Sequence, residues 1–245
     1  MKQNLVTQNL AKPIFNIVEI FSSLSGEGST AGIPASFVRV DGCNLRCEYC
    51  DTKYSYNKEF TPMSFDEILN KLKLFDNKIV ICTGGEPLRD VNNARILPLL
   101  ISKCGFDVYI ETNGSVDLYN SSELEHGIRE NIHYVIDIKT YASKMQNFDK
   151  IETNCELLSD GDEIKCVVAS AQDIEYCKNK IESIYEKIKN KKINIIFSPV
   201  FGKIELSALA SYVSSLKNFM KGSNLTVKLG IQLHKLIWPN IEKGV

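Results

Sequence analysis

The sequence predicts an α/β protein in which parallel strands alternate with flanking helices. Short β-rich segments recur along the 245 residues, and helical patterns separate most of them. Several of these segments, such as IVIC at 79–82 and INIIF at 193–197, are almost continuously apolar, which is typical of parallel strands buried on both faces. Strands that alternate with helices indicate βα units, and therefore a parallel sheet or barrel.

The individual elements follow from these patterns. Predicted strands cover 14–21, 35–40, 78–82, 107–112, 134–139, 163–168, 193–197 and 226–233. Predicted helices cover 65–75, 94–103, 122–131, 173–190 and 206–221. The first helix begins with Ser64 and Glu67 at the spacing of a capping box. Since no linker or composition break interrupts the chain, we predict one domain over 1–245, with an N-terminal strand and loop at 14–34, a barrel core at about 35–233 and a tail at 234–245.

The composition excludes several classes of protein. Hydrophobic residues make up 44% of the chain and charged residues 24%, which excludes disorder, collagen and coiled coil as overall descriptions. The formal net charge is −1, so no strong field draws the protein to nucleic acid or to an anionic membrane. No apolar run approaches the ~20 residues of a membrane span, and the N-terminus lacks the apolar core of a signal peptide. We therefore expect a cytoplasmic protein.

Three of the eight cysteines lie together in a Cys-x3-Cys-x2-Cys pattern at Cys43, Cys47 and Cys50. The others are scattered, at Cys82, Cys104, Cys155, Cys166 and Cys177. Clustered thiolates bind soft metals and iron–sulfur clusters. One interpretation is a [4Fe-4S] cluster whose fourth iron is open to a small molecule. The other is a structural zinc ion with a distant fourth ligand, since a closed zinc site needs four.

A second polar segment, Thr83-Gly84-Gly85-Glu86-Pro87, follows the predicted strand at 78–82. Ligands bind at the carboxyl ends of the strands in barrels and in open α/β sheets. The two glycines allow a ligand to approach the backbone closely, and Glu86 can accept from an ammonium group. Together with the cysteine pattern, and in this order, the segment favours the cluster over zinc.

These two segments resemble the radical S-adenosylmethionine (SAM) superfamily. The resemblance implies a partial (βα)6-type barrel in which Cys43, Cys47 and Cys50 hold a [4Fe-4S] cluster. It also implies that the open iron binds the amino and carboxyl groups of SAM. One electron would cleave SAM to methionine and a 5′-deoxyadenosyl radical, which abstracts a hydrogen from the substrate. The protein's part in such chemistry is to position the cofactor and to exclude competing reactions.

Within the superfamily, the chain is most similar to the 7-carboxy-7-deazaguanine synthase family. The matching segments are Leu24-Ser25-Gly26-Glu27-Gly28, Gly32-x-Pro34, Phe37-Val38-Arg39, Gly42-Cys43-Asn44-Leu45, Cys50-Asp51-Thr52 and Gln232-Leu233-His234-Lys235. The resemblance runs from about residue 15 to residue 234. It implies a lyase that converts 6-carboxy-5,6,7,8-tetrahydropterin to 7-carboxy-7-deazaguanine with loss of ammonia, on the route to queuosine in transfer RNA. It further implies Mg²⁺, a homodimer, and an electron donor such as flavodoxin or ferredoxin.

The resemblance also assigns roles to particular residues, none of them catalytic beyond positioning the cofactor and the substrate. It places Tyr49, Asp51, Gly84, Gly85, Glu86, Asp137, Ile138, Lys139, Ser198 and Pro199 next to SAM. It places Leu24, Ser25, Gly26, Glu27, Arg39, Thr83 and His234 next to the substrate, and it makes Thr52 the Mg²⁺ ligand. The chain departs from the common pattern where many members have Gln at position 25, Ser-Pro-Lys at 137–139 and Gln-Pro at 198–199.

Arg39 illustrates how a residue type suits such a role. A planar guanidinium donates two parallel hydrogen bonds, which matches the substrate's carboxylate. Alternatively, an arginine at the end of a strand is solvated or forms a salt bridge.

Two other functions are compatible with parts of the sequence. A different radical SAM enzyme, such as a glycyl-radical activase, would share the cysteine spacing, but the LSGEG, FVR and CDT segments argue against it. A zinc-stabilised binding module without catalysis would need only the cysteines and a fourth ligand. Anaerobic reconstitution separates a cluster from zinc.

Overall fold

A computed structural model of the chain describes residues 13–56, 59–124, 127–216, 218, 220–241 and 243–245. Its strands are β1 (Ile14–Leu24), β2 (Pro34–Val40), β3 (Thr61–Ser64), β4 (Ile79–Gly84), β5 (Asp107–Thr112), β6 (Ile132–Ile138), β7 (Glu163–Val168), β8 (Asn194–Pro199) and β9 (Thr226–Leu229). Its α-helices are α1 (Phe65–Phe75), α2 (Leu97–Lys103), α3 (Ile151–Asn154), α4 (Ala171–Ile188), α5 (Leu206–Ser215) and α6 (Leu233–Ile237).

All the strands belong to one sheet, in the order β3-β1-β2-β4-β5-β6-β7-β8-β9. From β2 to β9 neighbouring strands are parallel, whereas β1 pairs antiparallel with β2 and with β3. The sheet is not closed, because β3 and β9 are its two edges within the described ranges. This architecture confirms the predicted α/β class and the partial barrel of parallel strands.

The two faces of the sheet differ in chemistry because successive side chains of a strand point to opposite faces. On the outer face, residues such as Val38, Val80 and Ile110 form the main hydrophobic core with the helices. The inner face carries a small cluster around Phe37 and Ile81 near the amino ends of the strands. Toward the carboxyl ends, the inner positions hold polar and charged residues, namely Arg39, Thr83, Glu111, Asp137, Lys165 and Ser198. The alternation thus directs the charged side chains into the barrel.

Helix α1 begins as the sequence predicts. The Ser64 hydroxyl accepts from the Glu67 N–H at 3.3 Å, and Glu67 Oε2 accepts from the Ser64 N–H at 2.8 Å, which completes the capping box. Asp76 ends the helix in the left-handed region, with φ of 55°.

The predicted helix at 122–131 is wrong. Residues 121–124 form turns, and only Ile128–Asn131 form a 3₁₀ helix, whereas Glu125 and His126 lie outside the described residues. The Asn120 side chain accepts from the backbone N–H of Ser122 at 2.9 Å, so a local turn takes the place of the first helical turn. Gly127 then adopts φ of 85°, which no α-helix permits.

Many other boundaries differ from the predictions by up to three residues, and two differ by more. Helix α5 ends at Ser215 instead of continuing to residue 221, and β9 ends at Leu229 instead of residue 233. Gly230 N–H still donates to the Phe197 carbonyl, but the chain then leaves the sheet and forms α6. The short elements β3 and α3 have no counterpart in the predictions. Every helix in the described ranges is too short or too polar to cross a membrane.

Candidate active site

The cysteine loop, residues 43–50, follows β2. Cys43, Cys47 and Cys50 are unpaired and half-buried. The Asn113 side chain donates to Cys43 Sγ at 3.4 Å, and the Tyr56 hydroxyl lies 2.7 Å from Cys50 Sγ. Burial raises the pKa of the Cys43 and Cys47 thiols, because a desolvated thiolate is unfavourable and the positive charge of Lys139 offsets only part of this effect. A bound metal centre would supply further positive charge.

Backbone hydrogen bonds fix the loop at both ends. Gly42 N–H donates to the Ser55 carbonyl at 2.9 Å, and Glu48 N–H donates to the Ser143 carbonyl at 3.1 Å. Arg46 donates to the Cys43 carbonyl at 2.8 Å and stacks over an aromatic ring. The path of the loop is therefore set by protein contacts before any metal binds.

The Gly84-Gly85 pair has a different physical role from the one that the sequence suggests. A Cβ on Gly85 would lie 1.8 Å from the Gly42 carbonyl oxygen, and a Cβ on Gly84, which has φ of 120°, would lie 2.4 Å from the Val40 carbonyl oxygen. Gly85 N–H donates to the Val40 carbonyl at 3.0 Å. The glycines are required because two loop backbones touch here, whereas we attributed them to the approach of a ligand. Their predicted contact with SAM stays a prediction.

Glu86 is fully buried and joins the ends of two strands. Its carboxylate accepts from the backbone N–H of Leu88 at 3.0 Å, from the Thr112 hydroxyl at 2.8 Å and from the Asn113 N–H at 2.7 Å. Burial raises its pKa, although these donors oppose the shift. With three acceptor positions already occupied, the predicted hydrogen bond from an ammonium group stays a prediction.

A chain of charges crosses the inner face. Lys165 Nζ lies 3.0 Å from Glu27 Oε2 and 3.4 Å from Asp137 Oδ1, and Lys139 Nζ lies 2.6 Å from Asp137 Oδ2. The Gln232 side chain donates to Glu27 Oε1 at 2.9 Å. These ion pairs and this hydrogen bond therefore connect the loop after β1, strands β6 and β7, and the segment before α6.

The pKa values of these groups indicate that the ionised forms are retained. Burial disfavours both ammonium groups, but Asp137 and the other acidic groups around them together outweigh it, so the pKa of Lys139 is raised and that of Lys165 is raised strongly. Burial likewise opposes ionisation of Asp137, yet the two lysines lower its pKa.

The inner face also holds Glu111, which the sequence analysis did not select. Burial raises the pKa of its carboxyl, opposed chiefly by Lys165 and also by the Thr83 hydroxyl. An acid that interrupts an apolar strand, in VYIET, is the signal that could have identified it. Lys165 in EIKCVV is recognisable in the sequence as one of the polar residues of the predicted strands, but the sequence assigns it no role.

Arg39 lies at the end of β2 and pairs with Glu19 on β1. Its Nε lies 2.7 Å from Glu19 Oε1, which also accepts from the Tyr54 hydroxyl at 2.8 Å. The side chains of the pair are only 13% and 16% exposed, so this is not a surface salt bridge. The two Nη nitrogens of Arg39 make no hydrogen bond to any described residue, which leaves a planar pair of donors for a ligand.

The loop at residues 25–30, which we name the substrate loop after its predicted role, begins where β1 ends at Leu24. The Ser25 hydroxyl lies 2.7 Å from the Thr30 hydroxyl, so its side chain is used within the loop. A Cβ on Gly26 would lie 2.3 Å from His234 Nδ1, and the Leu233 N–H donates to the Gly26 carbonyl at 2.9 Å. Burial lowers the pKa of His234. The structure thus places His234 directly on the substrate loop.

Asp51 and Thr52 lie between the cysteine loop and α6. The Thr52 hydroxyl donates to Asp51 Oδ1 at 2.9 Å, and Lys235 Nζ lies 3.2 Å from Asp51 Oδ2. Burial opposes ionisation of Asp51, but Lys235 lowers its pKa below the ordinary value. Because the Thr52 hydroxyl is the donor in this hydrogen bond, the lone pairs of its oxygen can still coordinate a metal ion.

The remaining predicted SAM contacts differ in their placement. The Ile138 side chain is fully buried in the outer core, so only its backbone can contact a ligand on the inner side. A Cβ on Gly230 would lie 2.1 Å from the Ser198 hydroxyl oxygen. Pro199 follows Ser198 and ends β8.

The donor set fits a [4Fe-4S] cluster with SAM beside it. Within the described ranges, no three Cys, His, Asp or Glu side chains are arranged to hold a single metal ion. The three half-buried thiols share one loop, as a larger cluster requires. The Tyr49 hydroxyl is buried beside them and has no hydrogen-bond partner in the part of the chain that is described. An unpartnered buried polar atom at this position indicates that a ligand completes the site.

Residues 37–201 match the family model described as the Radical SAM superfamily. The matched range contains the cysteine loop, the Gly84-Gly85 pair and the polar and charged inner positions of β2, β4, β5, β6, β7 and β8. The chain is therefore a radical SAM protein, a class that uses SAM with a [4Fe-4S] cluster.

Similar proteins narrow the class. The chain is 39% identical over 234 residues to a 7-carboxy-7-deazaguanine synthase from Clostridium acetobutylicum, covering 94% of this chain and 99% of that protein. It is 35% identical over 237 residues to one from Koribacter versatilis, with 94% and 99% covered. The crystal structure of QueE from Escherichia coli shares the fold, with a TM-score of 0.65 and 22% identity over 90% of this chain and 95% of that chain. The chain belongs to the 7-carboxy-7-deazaguanine synthase family. This membership excludes the glycyl-radical activase and the zinc-stabilised module.

Proposed function

We propose that this chain converts 6-carboxy-5,6,7,8-tetrahydropterin to 7-carboxy-7-deazaguanine with loss of ammonia, as a carbon–nitrogen lyase on the route to queuosine in transfer RNA. The observation that carries this proposal is the 39% identity to a 7-carboxy-7-deazaguanine synthase along 94% of the chain. The charged inner face and the free donors of Arg39 give such a substrate suitable partners.

Cys43, Cys47 and Cys50 hold the [4Fe-4S] cluster in this proposal. When bound, the cluster and SAM supply a 5′-deoxyadenosyl radical that abstracts a hydrogen from the substrate. The Tyr49 hydroxyl and Lys139 line the adjacent space, and the ion pair of Lys139 with Asp137 keeps both side chains in place. The chain's own task is to fix the geometry and to exclude water.

The substrate's functional groups match the side chains around the inner face. The Nη donors of Arg39 bind the carboxylate in a bidentate manner. Glu27 and Glu111 accept from the N–H groups of the pterin ring, and Thr83 lies beside Glu111. His234 covers the substrate loop from the side of α6 and shields this space from water.

Several finer features belong to the same proposal. Thr52 ligates Mg²⁺, and because a neutral hydroxyl is a weak ligand, water and substrate oxygens complete the coordination shell. The enzyme acts in the cytoplasm as a homodimer, and a flavodoxin or ferredoxin supplies the electron.

Anaerobic turnover tests the proposed function. The reconstituted enzyme is incubated with the carboxylated tetrahydropterin, SAM, dithionite and Mg²⁺, and the products are identified by mass. The expected products are 7-carboxy-7-deazaguanine and ammonia, with SAM recovered. Cleavage of SAM without any deazaguanine product, under conditions where a relative from the family turns over, contradicts the proposal.

A further inference from the structure

We propose that Lys165 is a positioning residue that couples the substrate loop to the SAM-binding segment. The inference rests on the proposed function, because it concerns the two ligand sites that the function requires. It concerns a residue to which neither the sequence analysis nor the family resemblance assigns a role.

Lys165 occupies the inner face in the middle of the barrel. The residue is only 9% exposed, and β7 carries it between β6 and β8. A buried ammonium group is costly unless opposite charges surround it. Here the groups that compensate it are Asp137, Glu27 and Glu111, which all raise its pKa. The lysine is thus a shared counterion for three carboxyl groups.

The carboxyl groups belong to different parts of the proposed site. Glu27 is on the substrate loop, and its carboxylate also accepts from the Gln232 side chain at 2.9 Å. Asp137 is on β6 and is itself one of the proposed SAM-binding residues, and its other oxygen is paired with Lys139 at 2.6 Å. Lys165 is therefore the group that contacts both the substrate loop and β6.

Lys165 balances much of the negative charge of the carboxyl groups on the inner face, so its removal would change their positions. With Lys165 present, Glu27, Glu111 and Asp137 face Lys165 and Lys139. Without it, Lys139 and the weaker influence of Arg39 on Glu111 would be left to balance three carboxyl groups, and like charges repel strongly where water is scarce. The substrate loop is also held at Ser29, whose N–H donates to Glu163 Oε1 at 2.9 Å, and at the Gly26 carbonyl. Between these two points, Glu27 is the carboxylate that can shift, because Glu111 and Asp137 are fixed in strands. Glu27 would then leave its position opposite the substrate.

Backbone hydrogen exchange on the protein without SAM or substrate tests the first step. K165M removes the charge and keeps a long apolar side chain, and we expect amides of residues 26–30 to exchange about tenfold faster than in the wild type. K165R retains the charge and should restore most of the protection. K187M is the matched control, since Lys187 forms an exposed ion pair with Glu156 on the outside of the protein. Unchanged exchange at 26–30 in a folded K165M overturns the proposal.

Product coupling tests the second step. In K165M we expect about tenfold less product per SAM cleaved, and a substrate KM that rises by about tenfold. Iron content should stay at the wild-type level, since the Lys165 side chain pairs with Glu27 and Asp137 and is not one of the proposed cluster ligands. Wild-type coupling and KM in K165M would overturn the proposal even if the loop exchanges faster.

The wild-type protein gives a test that does not depend on the variant's folding. If Lys165 couples the two sites, SAM alone should slow amide exchange in the substrate loop, because ordering Asp137 also orders Lys165 and Glu27. No slowing at a saturating SAM concentration contradicts the coupling. The proposed function fails separately, when the wild-type enzyme makes no product while K165M still releases the loop.

Discussion

Two neighbouring loops at the carboxyl edge of the sheet differ in how completely the protein satisfies them. In the segment after β4, each Glu86 oxygen has protein donors and the backbone is bonded to the end of β2. In the cysteine loop, three thiols are half-buried and the nearby Tyr49 hydroxyl has no partner among the described residues. The protein itself supplies the hydrogen-bond partners of the first loop, whereas the second loop needs ligands to complete its contacts.

The difference distinguishes a segment that stabilises the fold, after β4, from a segment that binds ligands, the cysteine loop. A segment whose polar groups are internally paired stays in one position whether or not a ligand is present. The cysteine loop lies directly against this segment, because Glu86 N–H donates to the Gly42 carbonyl at 3.0 Å. The completed loop therefore acts as the support that holds the incomplete loop in its binding geometry.

Removing a thiol gives the largest expected effect and tests the cysteine loop, which depends on ligands. Cys47→Ala should abolish the [4Fe-4S] cluster and SAM cleavage, because the remaining two thiolates cannot hold it. Iron content and the visible absorbance of the reconstituted protein measure this. Cys104→Ala is the control, since Cys104 is exposed at the end of α2. Equal loss of iron in a folded Cys104→Ala protein would show that the cluster is assigned to the wrong cysteines.

Gly85→Ala tests the segment after β4, whose polar groups are paired within the protein. Its Cβ would lie 1.8 Å from the Gly42 carbonyl oxygen, so the two loops must separate. We expect unfolding to become easier by roughly 3 kcal/mol, measured in urea, together with loss of iron. Gly105→Ala is the control, because Gly105 has φ of 89° but nothing within 4 Å of its added Cβ. That control should lose roughly 1–2 kcal/mol through backbone strain alone and keep its iron.

Arg39→Ala sharpens the comparison at the strand that leads into the cysteine loop. We expect about 100-fold lower kcat/KM, because the substrate carboxylate loses its bidentate partner and shifts relative to the adenosyl carbon. Arg39→Lys should recover only part, since an ammonium cannot reproduce the fork. Glu19→Gln separates the two interpretations of Arg39. If the arginine only forms the pair with Glu19, then Glu19→Gln will be as damaging as Arg39→Ala.

A smaller effect is expected at Thr52, beside the last cluster cysteine. Thr52→Ala should weaken the stimulation by Mg²⁺ about tenfold, equal to ~1.4 kcal/mol of ligand binding, while SAM cleavage without substrate changes less. Titration of activity with Mg²⁺ measures this. Thr153→Ala, at an exposed threonine of α3, should behave as the wild type. Full Mg²⁺ stimulation in Thr52→Ala would remove Thr52 from the metal site.

The smallest expected effect concerns pH and His234. Burial lowers the folded-state pKa of this imidazole below 6.5, so the unfolded chain binds the proton more readily. Its contribution to stability is complete above about pH 6.5 and is lost as the pH falls toward the folded-state pKa. Urea unfolding from pH 7.5 to pH 5.5 should therefore show a shallower dependence in His234→Asn. His133, whose pKa burial also lowers, accounts for a separate part. A His234→Asn slope equal to that of the wild type contradicts this.

The sequence predicted the class of fold and the edge of the sheet where the site lies, because local patterns determine both. Apolar strands, the Ser64 capping box and polar residues at strand ends can all be recognised within a few neighbouring positions. The wrong helix at 122–131 shows the limit. A helical pattern was present, but the side chain of Asn120 and the backbone of Gly127 favour turns.

The parts of the site that could not be predicted depend on distant residues. The spacing of Gly84 and Gly85 looks like that of a ligand loop, and only the fold reveals that the end of β2 and Gly42 occupy the space beside them. Lys165 is recognisable in the sequence as a charge within an apolar strand, and Glu111 carries the same signal. Their joint role follows only from the register of β5, β6 and β7, which brings them to the same face.

The contact between the substrate loop and α6 has a consequence for biosynthesis. Glu27 and Gln232 touch although 205 residues separate them along the chain. A ribosome adds about 5–20 residues per second, so roughly 10–40 s pass between the synthesis of these two residues. During that time β1 and the early βα units can pair while the substrate loop still lacks Gln232, Leu233 and His234. The enzyme therefore becomes competent late, after its scaffold has formed.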